Sequence, residues 1–326
     1  MSRCLGYFNR NSNRHTTVLV ATSGDTGGAV ANGFLGVQGV EVIILYPSGK
    51  VSPVQELQLT TCGQNIHALE VNGNFDDCQA MVKQAFMDDD LKQKLNLTSA
   101  NSINVARWLP QQLYYLFAYK QWQQNEAPVI SVPSGNFGNI CAGILAYISG
   151  MPVKHFIAAC NSNDTVPLFL ETCDYAPKPA IATISNAMDV SDPSNFVRIL
   201  ELFDNKIEDL QKIVSSVSVN DETTKETIKM VYEKYNYTLD PHGAIGYFAL
   251  NEFLNNSKFK IQNSKYNLKG IFLETAHPVK FPDTVEEMTG KKIGIPESVK
   301  HLFGEQKQST IINKNFDDLK EWMISR

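Results

Sequence analysis

The feature that most limits the fold is a rhythm. Short apolar or β-branched runs, each closed by a polar turn, alternate with longer stretches of helical period. Residues 17–22 read as a buried strand, and residues 25–35 as a helix whose Gly27, Gly28, Ala29 and Ala31 permit close packing. A strand at 40–46 ends in Pro47-Ser48-Gly49. The spacing then predicts a helix over 53–62, with Ser52 as N-cap and Pro53 in its first turn. A strand at 66–71 and a helix at 75–86, carrying Phe75, Cys78, Val82 and Phe86 inward, complete the first cycle. A second cycle follows Asn101. Val105, Leu109, Leu113, Leu116 and Phe117 recur at helical spacing in a long amphipathic helix that Pro110 would kink. Strands at 128–132 and 153–160 flank a helix at 139–148; beyond Asp174 the chain turns Pro- and Ser-rich, then mainly helical to 256, and 270–274 is the last strand. Such alternation implies the α/β class: two open, mostly parallel sheets flanked by helices. The expected domains are 1–105, the smaller, and 106–326, the larger. There is no internal repeat and no low-complexity segment.

Composition narrows the function. A length of 326 residues suits two domains, and 43% hydrophobic with 19% charged residues disfavours disorder. Twenty-nine basic against 34 acidic residues, a net charge of −5, argue against a nucleic-acid binder. The longest apolar runs, such as Ile43-Ile44-Leu45, are far shorter than a membrane span of about 20 residues. None of the six cysteines forms a Cys-x-x-Cys pair or sits at zinc spacing from a histidine, so no metal is expected. Cys62, Cys78, Cys141 and Cys160 lie in apolar or helix-like stretches, where buried free thiols suit a reducing, cytoplasmic compartment. Residues 1–24 lack acidic side chains and carry Arg3, Arg10 and Arg14, a transit-peptide composition. Against that, Val18-Leu19-Val20 already begins a core strand, so residues 1–13 are read as helix and loop of the fold.

In open parallel sheets, ligands bind beyond the carboxyl ends of the strands. Three strand ends here are polar and short-chained. Thr22-Ser23-Gly24-Asp25-Thr26-Gly27 runs from a strand into a helix N-terminus, which favours an anion; its plain alternative is a turn capped by Ser23 or Asp25. Ser134-Gly135-Asn136-Phe137-Gly138-Asn139 repeats the pattern, with glycines that let backbone N–H groups approach a ligand and Asn139 as the ordinary cap. Glu274-Thr275-Ala276-His277-Pro278 offers the Thr275 hydroxyl, while His277 before Pro278 reads as structural. A fourth segment, Asn101-Ser102-Ile103-Asn104, precedes Arg107, a side chain suited to gripping phosphate or, equally, a surface charge. There is no G-x-S-x-G elbow, no H-E-x-x-H helix and no P-loop, and Asp88-Asp89-Asp90 reads as a solvated helix end.

Taken in order, these segments resemble threonine synthases of the bacterial and fungal type. The matching pieces are Ala21–Gly27, Ile44-Leu45-Tyr46-Pro47, Asn101–Asn104, Ser134–Asn139, Asn163-Asp164-Thr165-Val166-Pro167, Ser185-Asn186-Ala187-Met188-Asp189, Asp240-Pro241-His242 and Thr275-Ala276-His277-Pro278-Val279-Lys280-Phe281. The resemblance implies the tryptophan-synthase-β-like fold (type II), pyridoxal phosphate as cofactor, and a lyase of threonine biosynthesis that converts O-phospho-L-homoserine and water to L-threonine and phosphate. It implies that Gly135, Asn136, Phe137, Gly138 and Asn139 cradle the cofactor phosphate and that Thr275 faces the ring nitrogen. Ser23, Asp25 and Thr26 would meet the amino-acid end of the substrate; Asn101, Ser102 and Arg107 would hold its phosphate. The family binds its cofactor covalently through a lysine in a Phe-Lys-Asp-like segment, and no Phe-Lys-Asp occurs in this sequence. The start Met1-Ser2-Arg3-Cys4 resembles the helix just after that lysine, so the catalytic group is unassigned and the chain is expected to be inactive alone. A related phospholyase and a catalytically silent phosphate-binding relative stay open, as do a monomer and a homodimer.

Overall fold

A computed structural model describes residues 1–10, 15–255 and 268–326; residues 11–13 of the expected N-terminal loop, and residue 256, lie outside it. The chain divides into two compact units, residues 1–107 together with 294–326, and residues 108–293.

The first unit is built on β1 (Thr16–Ala21), β2 (Val40–Pro47), β3 (Ile66–Asn72), β4 (Asn96–Ser99) and β9 (Thr310–Asn313). Their order is β4-β1-β2-β3-β9, and every pair is parallel. Side chains alternate across a strand, and here both faces are buried. Val18, Val20, Val42 and Ile44 pack with Val30, Phe34 and Leu59, from the helices Asp25–Phe34 and Pro53–Thr60. Leu19, Ala21, Ile43 and Leu45 meet Cys78, Met81 and Val82 of the helix Phe75–Met87, with Leu319 and Met323 of the helix Phe316–Ile324. Continuous apolar strands such as Val42–Leu45 are what two covered faces require.

The second unit has the order β7-β6-β5-β8, again all parallel, from β5 (Val129–Pro133), β6 (His155–Cys160), β7 (Val214–Ser218) and β8 (Gly270–Phe272). Ile130, Val132, Phe156 and Ala158 face Ile140, Cys141 and Ile144 of the helix Gly138–Ile148. Val129, Ile157 and Ala159 face Ile245 and Ala249 of the helix Pro241–Asn255.

Several expectations change. The expected second domain ran on to residue 326, whereas β9 pairs with β3 and carries residues 294–326 into the first unit. β4, β7 and β9 were not anticipated: Asn-Leu-Thr-Ser, Val-Ser-Ser-Val-Ser and Thr-Ile-Ile-Asn are short, mostly polar edge strands whose pairing comes from tertiary contact. The long helix from Val105 breaks at Pro110 into Val105–Trp108, a 3-10 turn Leu109–Gln111 and Gln112–Lys120. Its expected inward residues Leu113 and Phe117 are 65% and 66% exposed, and Tyr115 is buried instead. The register already differs before the turn, where Val105 is exposed and Trp108 buried, and the tighter 3-10 turn re-phases the face once more. All six cysteines are free; Cys78, Cys141 and Cys160 are buried, while Cys62 is only half-buried. No described helix is long and apolar enough to cross a membrane.

Candidate functional site

Topology alone marks one crevice in each unit. In the first sheet the chain steps from β1 to β2 to β3, then returns to the other side of β1 as β4. In the second it steps from β5 to β6 to β7 and returns beside β5 as β8. The order therefore reverses at β1/β4 and at β5/β8, where open parallel sheets leave a crevice at the strand carboxyl ends. The loop after β1 holds Ser23, Asp25 and Thr26, and the segment after β4 holds Asn101 and Ser102. The loop after β5 holds residues 134–139, and Thr275 lies just beyond β8.

In the first unit, the N-cap residue is Gly24, which has no side chain to offer, and the Thr22 hydroxyl accepts from the N–H groups of Gly24 at 2.9 Å and of Gly27, in the first turn, at 2.8 Å. The expected Ser23 or Asp25 cap is thus replaced by Thr22. A φ of 133° at Gly24 is a conformation that a side chain would strain. Asp25 takes a hydrogen bond from the Gln55 amide at 2.9 Å. Across the switch point, Asn101 ties β4 to β1: its amide donates to the Ala21 carbonyl at 2.6 Å and its carbonyl oxygen accepts from the Ala21 N–H at 3.0 Å. Arg107 is neither a free surface charge nor an ion-pair partner. It is half-buried, donates to the Ala100 carbonyl at 2.6 Å, and meets no carboxylate among the described residues. A partly desolvated guanidinium with neutral surroundings is poised for an anion.

In the second unit, Phe137 takes a left-handed φ of 59° to open the helix Gly138–Ile148, which no side chain caps. Asn139 is therefore not the expected cap; its side chain accepts from the Tyr115 hydroxyl at 2.9 Å. The N–H groups at such an end lack intrahelical acceptors and face forward with the positive end of the helix dipole. The loop is braced from behind. Asn136 accepts from the Ser194 N–H at 2.7 Å and hydroxyl at 2.9 Å, and its own carbonyl accepts from the buried Asn195 amide at 2.8 Å. Gly135 packs so closely on residues 187–188 that an added Cβ would lie 2.6 Å from the Met188 Cα. Thr275 is exposed, and its hydroxyl has no hydrogen-bond partner among the described residues. His277 accepts from the Val279 N–H at 3.1 Å, the structural role expected of it.

Two polar clusters of this unit carried no role in the sequence reading. Asp189 accepts from Thr183 (N–H at 3.0 Å, hydroxyl at 2.7 Å) and from Asn161 at 2.8 Å. Burial nevertheless outweighs those donors and pushes its carboxyl up to about 6. Asp240 is fully buried, 2.7 Å from His242 Nδ1. An Asp-Pro-His triplet opening a helix, with Pro at the first helical position, was the available signal.

Comparison with known proteins agrees with this geometry. A family model described as "Pyridoxal-phosphate dependent enzyme" matches residues 2–264, and one described as "Threonine synthase, C-terminal" matches residues 244–323. Threonine synthase of Buchnera aphidicola (Acyrthosiphon pisum) is 46% identical over 316 residues, 96% of this chain and 71% of that protein. The chain belongs to the threonine synthase family. The Escherichia coli enzyme is 49% identical over 285 residues, 87% of this chain and 64% of its own length, so the chain spans about two thirds of such relatives. Its crystal structure superposes with a TM-score of 0.90 at 44% identity, covering 99% of this chain and 74% of that one. A pyridoxal-phosphate-bound threonine synthase from Brucella melitensis gives 0.87 at 33% identity, covering 98% and 73%. Membership of this family makes the chain one of the pyridoxal-phosphate-dependent lyases of fold type II, with the α/β architecture expected from its rhythm.

Proposed function

We propose that this chain carries the ligand-holding residues of a threonine synthase, which forms L-threonine and phosphate from O-phospho-L-homoserine and water. The observation that carries the reading is the uncapped, braced start of the helix Gly138–Ile148 at a topological switch point. Its backbone donors suit the cofactor's phosphate, held by Gly135, Asn136, Phe137, Gly138 and Asn139. Thr275 meets the ring nitrogen with a neutral hydroxyl, which, unlike a carboxylate, does not hold that nitrogen protonated. When bound, pyridoxal phosphate supplies an electron sink for the carbon skeleton of an amino acid. Ser23, Asp25 and Thr26 orient the amino-acid end of the substrate, and Asn101, Ser102 and Arg107 grip the phosphate that leaves from Cγ before water adds at Cβ. The small-molecule substrate is an amino-acid phosphate, and six free thiols suit a cytoplasmic location.

The phosphate loop is tested without turnover. Pyridoxal phosphate binds the 326-residue chain, and pyridoxal, lacking the phosphate, binds about ten-fold more weakly or worse, the equivalent of roughly 1.4 kcal/mol. Equal binding of the two would remove residues 135–139 from the role. Because no Phe-Lys-Asp segment occurs in these 326 residues, this chain with added cofactor releases no threonine from O-phosphohomoserine. Robust release would show that another lysine serves.

A further inference from the structure

The Asp240-Pro241-His242 triplet and Glu274 meet where the strand leading to Thr275 passes the N-terminus of the helix Pro241–Asn255. Asp240 is fully buried and accepts from three donors of its own turn: the His242 N–H at 2.9 Å, His242 Nδ1 at 2.7 Å and the Gly243 N–H at 3.3 Å. With so many donors aimed at it, Asp240 is the carboxylate of the group. Burial opposes that charge, yet the contacts with His242 hold its carboxyl below the usual range. Glu274 reaches the same point from the other side. Although the residue is exposed as a whole, its carboxyl end fills the space over Gly243, where an added Cβ would lie 2.6 Å from its Cδ. Only a glycine allows this approach. The Gly243 N–H beneath it donates to Asp240, which brings the two carboxyl groups together, and the Tyr237 hydroxyl faces Glu274 as well. Two carboxyl groups in contact cannot both be ionised, so the pair shares one proton.

We propose that Glu274 is a positioning residue: as a neutral carboxylic acid it donates to the Asp240 carboxylate, and this bond fastens the end of β8 to the helix Pro241–Asn255 so that the adjacent Thr275 presents its hydroxyl outward. The ladder runs past β8 to Leu273, whose N–H donates to the Ser131 carbonyl at 3.0 Å, so holding Glu274 fixes the backbone directly before Thr275. Thr275 is exposed and unbonded among the described residues, as this requires. The groups facing Glu274 are Asp240 and Tyr237; those facing His242 are Asp240 and, at longer range, Asp189. His242 Nε2 is buried without a partner among the described residues, which leaves Nδ1 as the nitrogen that donates to Asp240. Burial first, and then Asp240, raise the Glu274 carboxyl to about 9.

The assignment of Thr275 rests on the function proposed above, so the test has two separable arms. The first needs no cofactor. An acid whose folded-state pKa is raised keeps its full stabilising effect below the ordinary carboxyl range and loses it as pH rises towards the folded value. Thermal stability of the wild-type protein therefore declines between about pH 5 and pH 9 more steeply than that of Glu274→Gln. The amide of Gln can donate to Asp240 and accept from Tyr237 but does not titrate. Parallel stability profiles for the two proteins would overturn the shared proton. The second arm measures pyridoxal phosphate and inorganic phosphate binding at neutral pH, at a temperature where all variants are folded. Glu274→Ala weakens pyridoxal phosphate binding about ten-fold while Glu274→Gln stays within about two-fold of wild type, and inorganic phosphate binding is unchanged in both. Equal pyridoxal phosphate binding by Ala and wild type would overturn the positioning role. If the wild type failed to bind pyridoxal phosphate, the reading of residues 135–139 and the outward role of Thr275 would both fall, and the first arm would still decide the carboxyl pair.

Discussion

At the scale of single residues, Arg107 is the side chain whose surroundings say most. A guanidinium that is half-buried, bonded to one carbonyl and unpaired with any carboxylate among the described residues has lost water without gaining a counter-charge. Arg107→Ala is expected to weaken O-phosphohomoserine or inorganic phosphate binding by roughly ten-fold or more, the worth of a charge-assisted hydrogen bond of about 1.5–3 kcal/mol. Arg107→Lys should recover only part, because a point charge cannot reproduce the planar fork. Isothermal titration reads both, and an Ala variant with wild-type affinity would end the assignment. The residue type and its place after a polar segment were legible in the sequence. The bond to Ala100 and the missing carboxylate were not, since both depend on which backbone groups the fold brings alongside. Asp240 and Glu274, 34 positions apart by their numbers, were invisible as a pair for the same reason.

At the scale of elements, the helix Pro53–Thr60 shows a local signal serving a distant end. Ser52 and Gln55 form a reciprocal capping box: the Ser52 hydroxyl accepts from the Gln55 N–H at 3.4 Å, and the Gln55 amide oxygen accepts from the Ser52 N–H at 3.0 Å. The same Gln55 side chain donates its amide N–H to Asp25 at 2.9 Å, fixing the start of the helix Asp25–Phe34. Gln55→Glu preserves the acceptor the cap needs but replaces the donor by a like charge. Thermal unfolding should show a loss of about 1–3 kcal/mol at neutral pH that shrinks on acidification, as the carboxyl pair takes up a proton. A loss independent of pH would mean that the Asp25 contact contributes little. Ser52 and Pro53 were readable as a helix start; that their cap partner also anchors the loop after β1 came only with the packing of the two helices.

At the scale of the whole molecule, the chain closes its first sheet with its last residues. Strand β9 covers the outer edge of β3, and Ile312, Leu319 and Met323 are buried in that unit's core. Lys307 strengthens the return, with its ammonium 2.6 Å from both Glu56 and Glu70. A chain ending at Ile293 would uncover a long apolar edge strand, a template for pairing with other chains. Such a truncation should be recovered as aggregate by size-exclusion chromatography, whereas Leu319→Ala in the full chain should stay soluble and lose about 2–5 kcal/mol. A monodisperse, cooperatively unfolding truncation would show that residues 294–326 are dispensable to the unit.

What the sequence determined by itself was the alternation of elements and the polar turns between them, while the local cap assignments at Ser23, Asp25 and Asn139 gave way to Thr22 and to an uncapped start. The alternation of buried strands with helical stretches dictates parallel α/β sheets, because continuous apolar strands must be covered on both faces. The glycine- and hydroxyl-bearing turns at residues 22–27 and 134–139 mark helix starts able to take an anion. The order of the motifs carries the family, and 46% identity to a threonine synthase agrees. The tertiary structure decided what depends on distant segments meeting. It placed β4 and β8 so that the loops at residues 22–27 and 134–139 flank the two switch points, and it drew residues 294–326 back to β3. It also set the Glu274 carboxyl over Gly243, beside buried Asp240 at a helix start. Edge strands of four or five mostly polar residues have no periodicity strong enough to declare themselves, and a pair of carboxyl groups 34 positions apart has no sequence signature at all.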